Sequence, residues 1–137
     1  MFKKTRYLLM LGVLLMACGA VFAGEALRGY DPVAYFMQGN PQKGNSQYQT
    51  EWNGSTWSFA SAENKKMFES NPEKYAPQYG GFCAFGVSKG SKAPSDPNAW
   101  TIVNGKLYLN YNSQVKSMWE QNRDANIQQA DQNWKKL

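Results

Sequence analysis

An α+β fold is predicted for this chain: a small single domain with an antiparallel sheet built from two hairpins and packed by three to four helices, including a long C-terminal one. Three observations predict it. Asn53-Gly54 separates two strand-like runs, residues 47–52 and 55–60. Asn104-Gly105 does the same between residues 100–103 and 106–110. Asn-Gly is a strong short hairpin signal, because both residues tolerate the positive φ that a two-residue turn requires. Third, Val115, Met118, Trp119, Ile127, Ala130 and Trp134 fall mostly on one helical face near the end of the chain.

The other elements follow in order. Asp31 before Pro32 suits a helix N-cap followed by proline at the first helical position. Residues 39–46 read as a polar loop. Ser61 caps a short helix to about Ser70, with Glu63 favourably placed in its first turn. Pro72 ends or restarts that helix. Residues 75–97 are loop-rich, with Gly80, Gly81, Gly86 and Gly90. Asn112 or Ser113 caps the final helix, Asp124 marks a bend in it, and Lys135 and Lys136 sit well for its dipole.

The chain has 137 residues, enough for one ordinary domain. It contains no histidine and two cysteines. A Ser-His-Asp triad, a Cys-His pair, an HExxH zinc site and four-cysteine zinc sites are therefore all excluded from this chain alone. Residues 1–23 read as a secretory signal peptide and residues 24–137 as the domain. Lys3, Lys4 and Arg6 form a basic start, and Tyr7 to Ala17 is apolar but too short for the roughly 20 residues of a membrane span. Val21-Phe22-Ala23 then supplies the small residues of a cleavage site. Leu15-Met16-Ala17-Cys18 also resembles a bacterial lipobox, which would make Cys18 a lipidation site and tether the product to a membrane. Cleavage after Ala23 removes three positive charges and lowers the net charge from +5 to +2. No nucleic-acid partner is expected from so weak a balance. The expected location is the periplasm or envelope of a bacterium, with membrane contact only through a lipidated Cys18.

After such cleavage Cys83 is the sole cysteine, so no intramolecular disulfide can form. It follows Gly80-Gly81 and lies among Phe82, Ala84, Phe85 and Val87. Three readings stay open: a small buried hydrophobe, a metal ligand, or a reactive thiol. Met37, Met67 and Met118 could add thioethers to a Cys83 thiolate for a soft metal such as copper. Asp31 and Asp96 are weaker candidates for a hard ion. Tyr30, Tyr35, Tyr75, Tyr79, Phe82, Phe85 and Trp100 form an aromatic set, readable as a hydrogen-bonded core or as the wall of a small-ligand pocket. The ligand-binding candidates are Tyr30, Asp31, Tyr35, Tyr79, Cys83 and Trp100, with Cys83 the metal candidate. Lys89, Gly90 and Lys92 read as a solvated loop or an anion site.

Residues 59–75, FASAENKKMFESNPEKY, resemble the core of the YHS domain family, whose pattern runs roughly F-C-S-x-x-C-x-x-x-F and then P-E-K-Y. Phe59, Ser61, Phe68, Pro72, Glu73, Lys74 and Tyr75 match it without a gap, and Asp31-Pro32-Val33 resembles the family's D-P-V-C. GYDPVAYF, YAPQYGGFCA and GKLYLNYN are similar to the exported, stand-alone branch. Family members that bind metal use cysteines where this chain has Ala34, Ala60 and Asn64. Alanine cannot ligate, and neutral Asn is a weak ligand for soft ions. The resemblance implies the scaffold of a metal binder without its thiolates.

The reading that combines these observations is an exported, non-enzymatic module that binds a metal ion or small ligand, or an envelope protein. The alternatives are a structural or interaction module that has lost the family metal site, and a single-thiol redox protein using Cys83. No catalytic residue is assigned.

Overall fold

The computed structural model describes residues 24–137; the signal peptide expected at residues 1–23 and the lipidation candidate Cys18 lie outside the described residues. A 3-10 turn at Ala26–Gly29 leads into helix α1, Pro32–Met37. Asp31 caps it as the sequence predicts. Its Oδ1 accepts from Val33 N at 2.8 Å and Ala34 N at 3.2 Å, and Pro32 occupies the first turn. Strands β1, Asn45–Trp52, and β2, Ser55–Phe59, pair antiparallel through the Asn53-Gly54 turn. There φ is 53° at Asn53 and 79° at Gly54, the left-handed conformation that makes this dipeptide a hairpin signal.

Helix α2, Ala62–Ser70, begins where Ser61 accepts from Asn64 N at 3.1 Å. Asn71 breaks it with φ −158° and ψ 73°, and Pro72 starts the single-turn helix α3, Pro72–Tyr75. A second 3-10 turn, Gln78–Gly81, and the short helix α4, Ala84–Ser88, precede strands β3, Asp96–Val103, and β4, Lys106–Asn110. These strands pair through Asn104-Gly105, with an irregularity between Asp96 and Trp100. Helices α5, Ser113–Gln121, and α6, Arg123–Trp134, complete the chain.

The α+β class and both hairpins are as predicted, with two differences. The hairpins form two separate two-stranded sheets rather than one, and six helices are present among the described residues. Each hairpin finds its own apolar cover. Trp57 and Phe59 of β2 pack with Phe68 of α2, Tyr75 and Val33. Val103 and Tyr108 of the second hairpin pack with Trp119, Ala130, Val87 and Tyr79. A third cluster holds Tyr35, Leu107 and Leu109, so α1 bridges the two halves.

A further difference is the C-terminal helix, which breaks at Asn122 (φ −135°, ψ 50°) rather than bending at Asp124. Asn122 leaves helical geometry readily. Asn126 Nδ2 then donates to Trp119 O at 3.0 Å, satisfying a carbonyl that the break frees. The break lets Trp119 and Ala130, both fully buried, enter the same core. Asn133 Nδ2 donates to Val87 O and Ser88 O at 2.9 and 3.1 Å, which ties α6 to the end of α4.

Candidate functional site

The three positions where the family resemblance places thiolates converge on one carboxylate. Asp31 is fully buried. Besides the two cap bonds on Oδ1, its Oδ2 accepts from Ala60 N at 2.8 Å and Asn64 Nδ2 at 2.8 Å. Ala34 and Ala60 thus contribute backbone N–H groups and Asn64 its side-chain amide. Asn64 Nδ2 also donates to Gln38 Oε1 at 3.2 Å, so two acceptors fix which end of the amide faces Asp31. Four donors come close to filling a carboxylate's capacity. A cation placed here would meet the positive ends of four N–H dipoles and no sulfur. The residues present do not fit a metal at this position.

The predicted site residues are not gathered into one cluster. Tyr35 donates its hydroxyl to Pro97 O at 2.7 Å and packs edge-on against Trp100, ring centroids 5.3 Å apart. Burial pushes its phenol well above the ordinary tyrosine range. Tyr30 is half-buried and pairs its backbone with Lys43 in an isolated bridge. Tyr79 belongs to the other half, beside Tyr108 and Trp134. Its hydroxyl donates to Asp131 Oδ1 at 2.8 Å. Burial and then that hydrogen bond raise its proton affinity strongly.

Cys83 is 1% exposed and caps α4. Its Sγ accepts from Gly86 N at 3.4 Å and lies 3.5 Å from Asn110 Oδ1, to which the thiol donates. Asn110 Oδ1 also accepts from Phe85 N at 3.0 Å, while its Nδ2 has no partner among the described residues. Of the methionines weighed as co-ligands, Met37 and Met118 are about half exposed, and Met67 packs beside Phe68. Among the described residues no group of three or more Cys, Asp or Glu is placed to hold a metal ion.

A feature that sequence reasoning missed lies between the second hairpin and α6. A cleft of about 200 Å³ is lined by Val103, Asn104, Lys106, Tyr108, Asp124, Ile127 and Asp131. Its sequence signals are faint: Asp124 and Asp131 are seven residues apart on one helix, hence on one face, and Lys106 and Tyr108 share one face of β4.

No curated protein and no solved structure matches the chain. The family model described as "YHS domain" matches residues 33–79. That segment runs from the second residue of α1, through the first hairpin, α2 and α3, to Tyr79, and it contains all three positions that surround Asp31. The matched segment contains residues 59–75, which the sequence motif singled out, and begins two residues after Asp31; over residues 33–79 the chain matches the YHS domain.

Proposed function

We propose that the protein is an exported, non-enzymatic binding module of the bacterial envelope, and that its ligand is a small organic molecule rather than a metal held at the family's thiolate positions. The observation that carries this reading is the Asp31 carboxylate, whose Oδ2 is taken up by Ala60 N and Asn64 Nδ2. The space nearest the lost thiolates is closed by the protein's own hydrogen bonds. Binding is then expected elsewhere on the scaffold. The leader pattern of residues 1–23 supports export, and the absence of histidine supports a role without acid–base catalysis near neutral pH.

A second reading, a module that docks an envelope protein, is favoured by the exposure of Met37, Tyr111, Met118 and Leu137. Native mass spectrometry with elemental analysis, on protein taken from the envelope fraction, separates the two. A chain beginning at Gly24, carrying an organic adduct and no metal, is the expected result. Stoichiometric copper, zinc or iron would overturn the organic-ligand reading. A bare chain that co-purifies with a protein partner would favour docking.

A further inference from the structure

The cleft between the second hairpin and α6 has the chemistry of a small-molecule site. Tyr108 is 3% exposed, its ring held against Trp119 and Tyr79 at 5.5 and 5.9 Å. Yet it lines the cleft, where its hydroxyl is open to solvent rather than sealed off, and it makes no hydrogen bond with the described residues. A phenol whose ring is fixed and whose hydroxyl faces the cleft is held ready to bond whatever enters it. Asp131 presents one oxygen to Tyr79, which leaves Oδ2 for a ligand. Lys106 stands at the same opening and forms no ion pair among the described residues. Val103 and Ile127 add an apolar floor.

The charges decide the ligand class. Asp131 and Asp124 face one Lys106, so the cleft favours a cationic group, while the ammonium of Lys106 calls for an anionic one. Asp124 is 91% exposed at its side chain and only loosely met by Arg123 at 3.7 Å, whereas Asp131 is fixed by the Tyr79 hydroxyl, so Asp131 is the better-positioned carboxylate for a ligand. One free carboxylate and a phenol are too few oxygens for a calcium ion, which takes six to eight. At roughly 30 Å³ per water, the volume holds six or seven waters, the scale of a very small organic molecule.

We propose that this cleft binds a small zwitterion, a free amino acid with a short aliphatic side chain, its ammonium on Asp131, its carboxylate on Lys106, and its side chain over Val103 and Ile127. The Tyr108 hydroxyl, both donor and acceptor, completes the polar contacts. A tyrosine holds its proton at neutral pH in any case, and burial and the nearby Asp131 raise its proton affinity further, so the phenol can donate. The assignment rests on the binding-module reading and names its ligand class.

The test is an NMR titration of the isotope-labelled protein, expressed with its own leader and purified as processed. The probes are L-valine, isobutylamine (the ammonium alone), isovalerate (the carboxylate alone) and calcium chloride, each to about 10 mM, above the roughly millimolar Kd suited to so few contacts. L-valine is expected to saturate, moving amides of residues 103–108 and 124–131, with each half-molecule about tenfold weaker or more. Asp131→Asn keeps an acceptor for Tyr79 and is expected to weaken valine about tenfold, the scale of a lost charged hydrogen bond. Lys106→Met, at an exposed position, supplies a second variant that does not disturb the core and is expected to weaken valine in the same direction. No saturable shift, shifts outside the cleft, equal binding of the amine, a response to calcium alone, or unchanged affinity in both variants would overturn the assignment. The titration and the native mass spectrum fail separately. An organic adduct with no valine response sinks the zwitterion and leaves the binding module, whereas a metal adduct beside a saturable valine response does the reverse.

Discussion

The side-chain nitrogen of Asn64 lies 2.8 Å from Oδ2 of Asp31, across 33 residues of sequence, and both residues are buried. This contact joins the cap of α1 to the first turn of α2. Asn64→Leu removes a donor but leaves Ala60 N on the same oxygen, so a loss of about 1–3 kcal/mol is expected. Asn64→Asp places a second carboxyl against the first. Its stability is expected to fall further, and to recover partly as pH drops toward 4, where one of the pair takes a proton. Urea unfolding at pH 4 and pH 7 measures both. Equal stability of the Asp variant at the two pH values would contradict the close contact.

Cys83 is expected to resist alkylation in the native state, because it is 1% exposed and engaged on both sides. Its labelling rate should follow unfolding, rising with denaturant. Rapid labelling in buffer would show a mobile α4. The sequence alone suggests that Cys83→Ser would bury an unsatisfied hydroxyl. The structure alters that expectation, since Gly86 N can donate to the hydroxyl and Asn110 Oδ1 can accept from it. A modest loss of about 1 kcal/mol is expected for Ser. Cys83→Ala, which loses both contacts, is expected to cost more.

Alkaline pH should destabilise the fold. Tyr35, Tyr79 and Tyr108 all have raised proton affinity, with burial the leading cause. An unfolded tyrosine releases its proton near pH 10. The stabilisation is therefore fully present below about pH 10 and is lost as pH climbs toward the higher folded-state values. Each group contributes a slope of up to about 1.4 kcal/mol per pH unit in that range. Tyr35→Phe is expected to cost about 1 kcal/mol at pH 7, through the bond to Pro97 O, and to make the alkaline decline shallower. Denaturant midpoints from pH 8 to 11 provide the measurement, and an unchanged slope in the variant would refute it.

Trp119 is fully buried and its Nε1 has no partner among the described residues. Trp119→Phe removes that unpaired donor along with some packing volume. The two effects oppose, so a net loss of about 1–2 kcal/mol is expected, below the roughly 3–5 of a truncation to alanine. Thermal unfolding of both variants checks the order. A Phe variant as unstable as the Ala variant would show that Nε1 is satisfied.

The parts of this architecture that were legible in sequence are those set within a few residues. Asn53-Gly54 and Asn104-Gly105 adopt the left-handed φ that their chemistry permits. Asp31 and Ser61 cap the helices that follow them, through bonds spanning two or three residues. The replacements at Ala34, Ala60 and Asn64 were visible as departures from a motif. Their convergence on Asp31 was not, because Ala60 and Ala34 contribute backbone N–H groups, which no residue type announces.

By itself, then, the sequence determined the α+β class, the turns, the caps and the absence of histidine and thiolate chemistry at the family positions, since short-range backbone preference and residue identity suffice for these. Only the tertiary structure decided that the two hairpins stay separate, that the last helix breaks at Asn122, and that Tyr79 meets Asp131 across 52 residues beside the cleft. Those outcomes depend on which apolar faces cover one another. That choice is made by packing among elements distant in the chain, and local propensity carries no record of it.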